Sequence, residues 1–157
     1  MIKNSISIYQ LARKQADISQ KDASELLAVG ERTLSDYENG RHKVPEDIVV
    51  KMTEIYKSSW LPYLHLKQTV VGTKFLPNIT LMELTGSTLM FQKKTGDIQK
   101  IMEKLIDIAC DGIIDLEEAS DCEDVEKELV EHLGATLNLL ISLKEKCPKR
   151  NSILKRA

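Results

Sequence analysis

The sequence predicts an all-α chain in two parts, and three observations carry that expectation. Apolar residues recur every three or four positions through most of its length, the period of helices with one buried face. Glycine and proline number only 7 and 4 in 157 residues and aromatics make up 4%, too little punctuation for a many-turned β architecture. Residues 19–40 read as a capped helix, a tight turn and a second helix that stops at a glycine. The expected division is a helical domain over residues 1–67, a linker at 68–77 and a helical domain over 78–157.

In chain order, a first helix is expected from Ser5 to about Ala16, where Ile6, Ile8, Tyr9, Leu11 and Ala12 give a dense apolar face. Ser19 caps the second helix, with Asp22 as a shorter stand-in for the Glu or Gln of a capping box. Ala23, Leu26 and Leu27 supply its buried stripe, and Ser24 is small where two helices approach closely. Ala28-Val29-Gly30 makes the turn. Gly30 opens the third helix, Leu34 and Tyr37 face inward, and Gly40 provides a left-handed stop. After the polar loop Arg41-His42-Lys43-Val44, Pro45 suits the first turn of a fourth helix, with Glu46 and Asp47 near its positive end. Ile48, Val49, Met52, Ile55 and Tyr56 close the core. A fifth short helix starts within residues 58–64 with Pro62 in its first turn, and its apolar face is a candidate dimer contact. Gly72 and Pro77 mark the boundary, with Val70 and Val71 as a short extended piece.

From Ile79 the helical pattern returns: Leu81, Met82 and Leu84, then Leu89, Met90 and Phe91 in a segment reaching residue 95. A better-marked helix carries Ile98, Ile101, Met102, Leu105, Ile108 and Ala109. After a corner at Asp111-Gly112, a long last helix over 121–144 carries Val125, Leu129, Leu133, Leu137, Leu140 and Ile141. At the corner, Ile113 and Ile114 are expected to plug the core. The two final stripes are too broad to bury each other, so this half is expected to form a bundle that completes itself on a second subunit or a partner. Its charge is segregated: residues 107–131 hold eleven acids against Lys127 alone, whereas Lys144 to Arg156 is basic. Such runs are mostly solvated faces; an acidic one also keeps this half off DNA or meets a basic partner.

The Ser19–Gly40 stretch has the geometry of a helix-turn-helix, whose second helix fits the major groove. At Ser19-Gln20, Ser24, Val29, Thr33-Leu34-Ser35 and Tyr37-Glu38-Asn39-Gly40 it resembles the DNA-binding domain of lambda-type phage repressors and the wider XRE-like bacterial regulators. The resemblance runs over about residues 5–66, some two fifths of the chain. It implies a lambda-repressor-like helix-turn-helix domain followed by a small C-terminal helical bundle. It also implies a structural ion pair between Arg13 and Glu38. Two departures stand out: Ala28 occupies a turn position where the family often has glycine, and Gly30 one where it often has a Ser or Thr cap. Alanine in a left-handed turn costs roughly 1 kcal/mol.

If the motif docks as its relatives do, Glu31, Arg32, Thr33, Ser35 and Asp36 face the base edges. Arg32 is the first candidate for a guanine, whose O6 and N7 its fork fits, and a phosphate contact is the second reading. Thr33 suits a thymine methyl or a phosphate, and Glu31 or Asp36 a cytosine amine. Gln20 suits a phosphate or an adenine. Asn39, Arg41 and Lys43 hold the backbone and set register, and His42 lies in the same loop. Bulk charge gives no support: the net charge is −2, and residues 1–57 carry nine basic and nine acidic side chains.

Other classes are weaker. Three cysteines without a close pair suit a reduced cytoplasm, with nucleoid association when DNA is bound. No leader or membrane-length apolar run is expected. Asp107, Asp111, Gly112, Ile114, Asp115 and Glu118 follow part of an EF-hand spacing, but Ala109 stands where an oxygen ligand is required. Cys110, Cys122, His132 and Cys147 have no standard metal spacing. No phosphate loop or nucleophile motif appears, so neither an enzyme, a cofactor nor a metal is expected. The expected function is sequence-specific binding of double-stranded DNA by a homodimeric repressor on a near-palindromic operator. The competing reading is an antitoxin or adaptor that captures a protein or effector with its C-terminal half and uses DNA binding for autoregulation.

Overall fold

The computed structural model describes residues 6–110 and 112–147. Among them, eight helices and no strands are found: α1 (Ile8–Gln15), α2 (Gln20–Leu27), α3 (Glu31–Glu38), α4 (Glu46–Tyr56), α5 (Leu61–Lys67), α6 (Val70–Phe75), α7 (Leu84–Ala109) and α8 (Ala119–Lys146). Contacts divide the chain into two compact units, Met1–Leu76 and Pro77–Ala157. The start expected for the first helix at Ser5, the corner residue Asp111 and most of the basic C-terminal run lie outside the described residues.

In the first unit the helix starts follow their caps. Ser7 and Ser19 accept from the amides of Gln10 and Asp22, at 3.3 and 3.1 Å. Asp22 is too short to complete a reciprocal box with the Ser19 amide, and its carboxylate accepts from the Ser19 hydroxyl instead, at 2.7 Å. The ends of α1 to α3 share one geometry. Past each, a left-handed residue (Asp17, Ala28, Gly40) donates to a carbonyl in the last turn, and the residue after it donates to the carbonyl five positions back. This is the Schellman closure, and only α3 meets it with glycine. Ala12, Ala23, Leu27, Leu34, Val49, Met52, Tyr56, Trp60 and Leu61 form the core these helices enclose.

Several expectations need correcting. Leu26 is 58% exposed, because α2 buries Ala23, Ser24 and Leu27, a stripe that leaves position 26 on the outside. Tyr37 is only half-buried. The apolar residues of α5 are divided: Leu61 is buried beside Trp60, Tyr9 on α1 meets His65 Nδ1 through its hydroxyl at 2.8 Å, and Leu66 is 47% exposed. Residues 70–75 are helical, not extended. Thr69 caps them by accepting from the Gly72 amide, and Lys67 Nζ donates to the carbonyls of Thr73 and Leu76 at the far end. Gly72 allows this turn to lie on α5, since a Cβ there would overlap the Leu66 carbonyl.

The second unit is a helical hairpin with a non-helical strap, residues 77–83, on one side. The two helices expected at 79–95 and 98–109 are one helix of 26 residues, starting only at Leu84. Gly96 costs it about 1 kcal/mol of helix propensity, while contacts with α8 hold it on both sides of that point. Phe91 packs on His132 with ring centroids 5.4 Å apart, and Lys94 pairs with Glu128 at 3.2 Å and with Glu131. Farther along, Lys104 pairs with Asp121 at 2.5 Å. Near the termini of the hairpin, the Ser87 and Ser142 hydroxyls meet at 2.8 Å, and Ser142 donates to the Met82 carbonyl of the strap at 3.0 Å. At the corner, Asp115 accepts from the amides of Glu117 and Glu118, at 2.8 and 3.0 Å, and so starts α8. Ile113 and Ile114 do not plug a core; they are 68% and 57% exposed, because a two-helix corner offers no third layer to cover them. Asp107 stands inside α7. No helix is long and apolar enough to cross a membrane, and no group of three or more His, Cys, Asp or Glu gathers as a metal site, in both cases among the described residues.

Two glycines on the hairpin separate propensity from packing. A Cβ at Gly134 would stand 2.7 Å from the Asn78 carbonyl oxygen of the strap, whereas one at Gly96 meets nothing within 4 Å. Gly96→Ala is expected to stabilise the protein by about 0.5–1 kcal/mol. Gly134→Ala is expected to destabilise it despite the same gain in propensity, because backbone must move. Urea midpoints of the two variants test this pair.

Candidate nucleic-acid interface

The third helix is held by a buried carboxylate at its last residue. Glu38, 3% exposed, accepts from Arg13 through both oxygens: Nε to Oε1 at 2.6 Å and Nη2 to Oε2 at 2.9 Å. The Gln20 side-chain amide adds a third bond to Oε2 at 3.1 Å, and Arg13 Nη1 donates to the Ile18 carbonyl at 2.9 Å. The hydrogen bond to Glu38 holds the Arg13 guanidinium above its ordinary pKa. This fork joins α1, the start of α2 and the end of α3 around one charge pair.

The N-terminal turn of α3 stands clear of these contacts. Gly30 caps it with extended φ/ψ and offers no side-chain bond, and Glu31, Arg32 and Thr33 are all exposed. Arg41, His42 and Lys43 are exposed in the loop beyond the helix. Arg32, His42 and Lys43 make no hydrogen bond or ion pair among the described residues, so their donors are available to a ligand. Ser35 and Asp36 are half-buried. Asp36 faces Arg41, with Nη1 to Oδ1 at 3.1 Å, so its carboxylate is already engaged by a cation. Asn39 turns back on its own helix, its amide donating to the Ser35 carbonyl at 2.7 Å. Gln20 has one amide proton committed to Glu38 and keeps the other.

Sequence reasoning had no means of seeing two of these engagements. The Gln20–Glu38 bond spans eighteen residues and depends on how α2 crosses α3. The Asp36–Arg41 pair depends on the left-handed Gly40 stop, which brings the loop back over the last turn. Ala28 adopts the left-handed turn conformation, φ 55° and ψ 44°, at the position where glycine would sit without strain.

Two outcomes are expected from the interior behind the site. Arg13→Met should cost about 3–5 kcal/mol by leaving Glu38 buried and unpaired, and Arg13→Met with Glu38→Leu should recover much of that loss. A double-mutant cycle by chemical denaturation measures it. Behind the pair, the Tyr56 hydroxyl is buried with no hydrogen-bond partner among the described residues. Burial, helped by the Glu38 charge, pushes its pKa from 10.0 up to about 12. Between those values the native state keeps a proton that the unfolded chain has lost, so stability falls as pH rises through that window. Tyr56→Phe should flatten this alkaline fall, read from urea midpoints against pH.

Residues 10–61, a third of the chain, match the helix-turn-helix family. No curated protein and no solved structure matches the chain. The match spans α2, α3, most of α1, all of α4 and the Arg13–Glu38 fork, and it ends at Leu61, the first residue of α5. Residues 10–61 are therefore a helix-turn-helix domain of the XRE, lambda-repressor type, the DNA-binding part of a transcription regulator.

Proposed function

We propose that the protein represses transcription as a homodimer that reads a near-palindromic DNA operator through α3. The observation that carries this reading is the pairing of a fixed helix with free donors. The Glu38 fork sets the direction of α3, and Arg32 stands unengaged in its first turn. The guanidinium fork of Arg32 matches guanine O6 and N7, a pair that contributes about 1–3 kcal/mol of base discrimination. Lys43 and His42 lie beside the backbone track, where their contacts set register without reading sequence. Glu31 can accept from a cytosine amine, and at any other base pair it repels phosphate. Asp36 is a weaker base reader than its position suggests, because Arg41 already neutralises it.

One such unit covers too few base pairs for useful selectivity. Two copies related by a two-fold axis meet half-sites about one helical turn apart, which is why the operator is expected to be near-palindromic. Repression follows from exclusion of polymerase at an overlapping promoter. The protein-interaction reading, an antitoxin or adaptor, draws on the apolar residues left exposed on α7 and α8, among them Leu89, Ile106 and Leu133. Co-purification of a second, basic protein in fixed ratio with the full chain would favour it.

The direct test compares two variants on the operator and on random DNA. Arg32→Ala is expected to weaken operator binding about 10- to 100-fold and to relax preference at one base pair. Lys43→Ala is expected to weaken binding to all sequences alike and to make the salt slope shallower by about one. Equal losses on both DNAs for Arg32→Ala would remove it from base reading. Binding isotherms at several salt concentrations, after genome-wide mapping has supplied the operator, give both quantities.

A further inference from the structure

The last helix has two apolar faces, and only one is buried among the described residues. Its inner face carries Val125, Ala135, Asn138 and Ser142, all buried. On its outer face Leu129, Leu133, Thr136, Leu140 and Leu143 follow at spacings of four, three, four and three, the seam of a coiled coil. The four leucines are 44–50% exposed, and Val130 beside them is 46% exposed. A shallow apolar groove runs along Cys122, Val125, Leu129, Val130 and Leu133. The four leucines and Val130 offer on the order of 400 Å² of apolar surface, within the range that marks a functional patch on a monomer. That is about half of the roughly 800 Å² each partner gives to a standard interface, before flanking side-chain stems are counted.

We infer that a second copy of this chain covers this face, with the two α8 helices antiparallel and the two-fold axis beside Thr136. The two α7–α8 hairpins then close into a four-helix bundle. The inference rests on the homodimer reading above and adds to it a surface and an orientation. Charge selects the orientation. The first turns of α8 are acidic and its last turn carries Lys144 and Lys146. Lys94 and Lys104 on α7 engage Glu128, Glu131, Asp121 and Asp124, but Glu123 and Glu126 have no cation among the described residues. A parallel pair would set these acids against their own copies. The antiparallel pair sets Glu126 beside the partner's Lys146, which within one chain reaches only the exposed Glu83 at 3.3 Å. The same register sets Leu129 and Leu133 against the partner's Leu143 and Leu140. The stripe is thus self-complementary under the rotation that a closed dimer requires.

The test uses the full chain. Sedimentation is expected to give the mass of two chains for the wild type and of one for Leu133→Glu with Leu140→Glu, with unchanged far-UV circular dichroism. Spin labels then read the orientation in a chain carrying Cys110→Ser, Cys122→Ser and Cys147→Ser. A label at Thr136→Cys should lie close to its copy, and one at Glu126→Cys, ten residues from the axis, about 30 Å away along the bundle. Short distances at both positions would show a parallel pair and overturn the orientation. A folded double variant that keeps the two-chain mass would overturn the surface and leave the homodimer reading standing. A wild type that sediments as one chain throughout the micromolar range would overturn both.

Discussion

The carboxylate of Glu38 is the constraint on which the N-terminal unit turns. A buried charge is tolerated only when every lone pair that faces the protein is met, and here three N–H groups from two helices meet it. Arg13 in turn spends a further donor on the Ile18 carbonyl, in the link from α1 to α2. Hydrophobic packing alone would allow α3 to slide or rotate by a fraction of a residue at little cost, since apolar contacts are not directional. A two-pronged bond between a guanidinium and a carboxylate does not allow it. The fork therefore has less to do with total stability than with the pose of the helix that carries Arg32. On the proposed reading, in which α3 meets base edges, that pose decides which bases are within reach.

The second unit solves a different problem with fewer layers. Two helices and a strap cannot enclose a broad core, and among its described residues only Pro77, Ile108, Val125, Ala135 and Ile141 are buried apolar side chains. The hairpin makes up part of the difference with polar contacts at defined heights: the Ser87–Ser142 pair near one end, and the Lys94 and Lys104 ion pairs farther along. Ion pairs in such partly exposed positions contribute little each, about 0.2–1 kcal/mol, but they fix register between helices whose apolar stripes alone would permit slippage. They also account for four acids of the acidic run, Asp121, Asp124, Glu128 and Glu131, whose partners sit on α7 outside the run itself.

What the sequence made legible follows from what is local. Caps, stops and helical periods depend on residues within four or five positions, and α2, α3 and α4 came out close to where Ser19, Gly40 and Pro45 put them. Errors arose wherever a distant neighbour decided. Leu26 fits the helical period as well as Leu27 does, but only the position of α3 and α4 determines which of the two is covered. Val70 and Val71 have extended propensity, yet the Thr69 cap and a glycine that lets α6 lie against α5 make them helical. The apolar stripes at 79–95 and 98–109 read as two helices in sequence, and the long partner α8 that spans both holds them as one. In the interface the same division holds. The exposed turn of α3 could be read from spacing, while the engagement of Gln20, Asp36 and Asn39 by neighbouring side chains could not.

The charge balance places a further demand on the DNA-binding unit. Nine basic and nine acidic side chains over residues 1–57 leave no general attraction to a polyanion, so on the proposed reading binding depends on the few cations that stand free at α3 and its following loop. Each phosphate contact accounts for a slope of only about 0.9 in log affinity against log salt, and a unit with few such contacts holds non-specific DNA weakly. Weak non-specific binding is an advantage against a genome of competing sites, provided that specific binding is recovered by other means. Joining two units recovers it: once the first is bound, the second sees its half-site at an effective concentration near the millimolar range without any new contact to DNA. On the homodimer reading, this places the control of occupancy at the subunit contact, away from the bases. A change in that contact alters operator binding while every residue on α3 keeps its place.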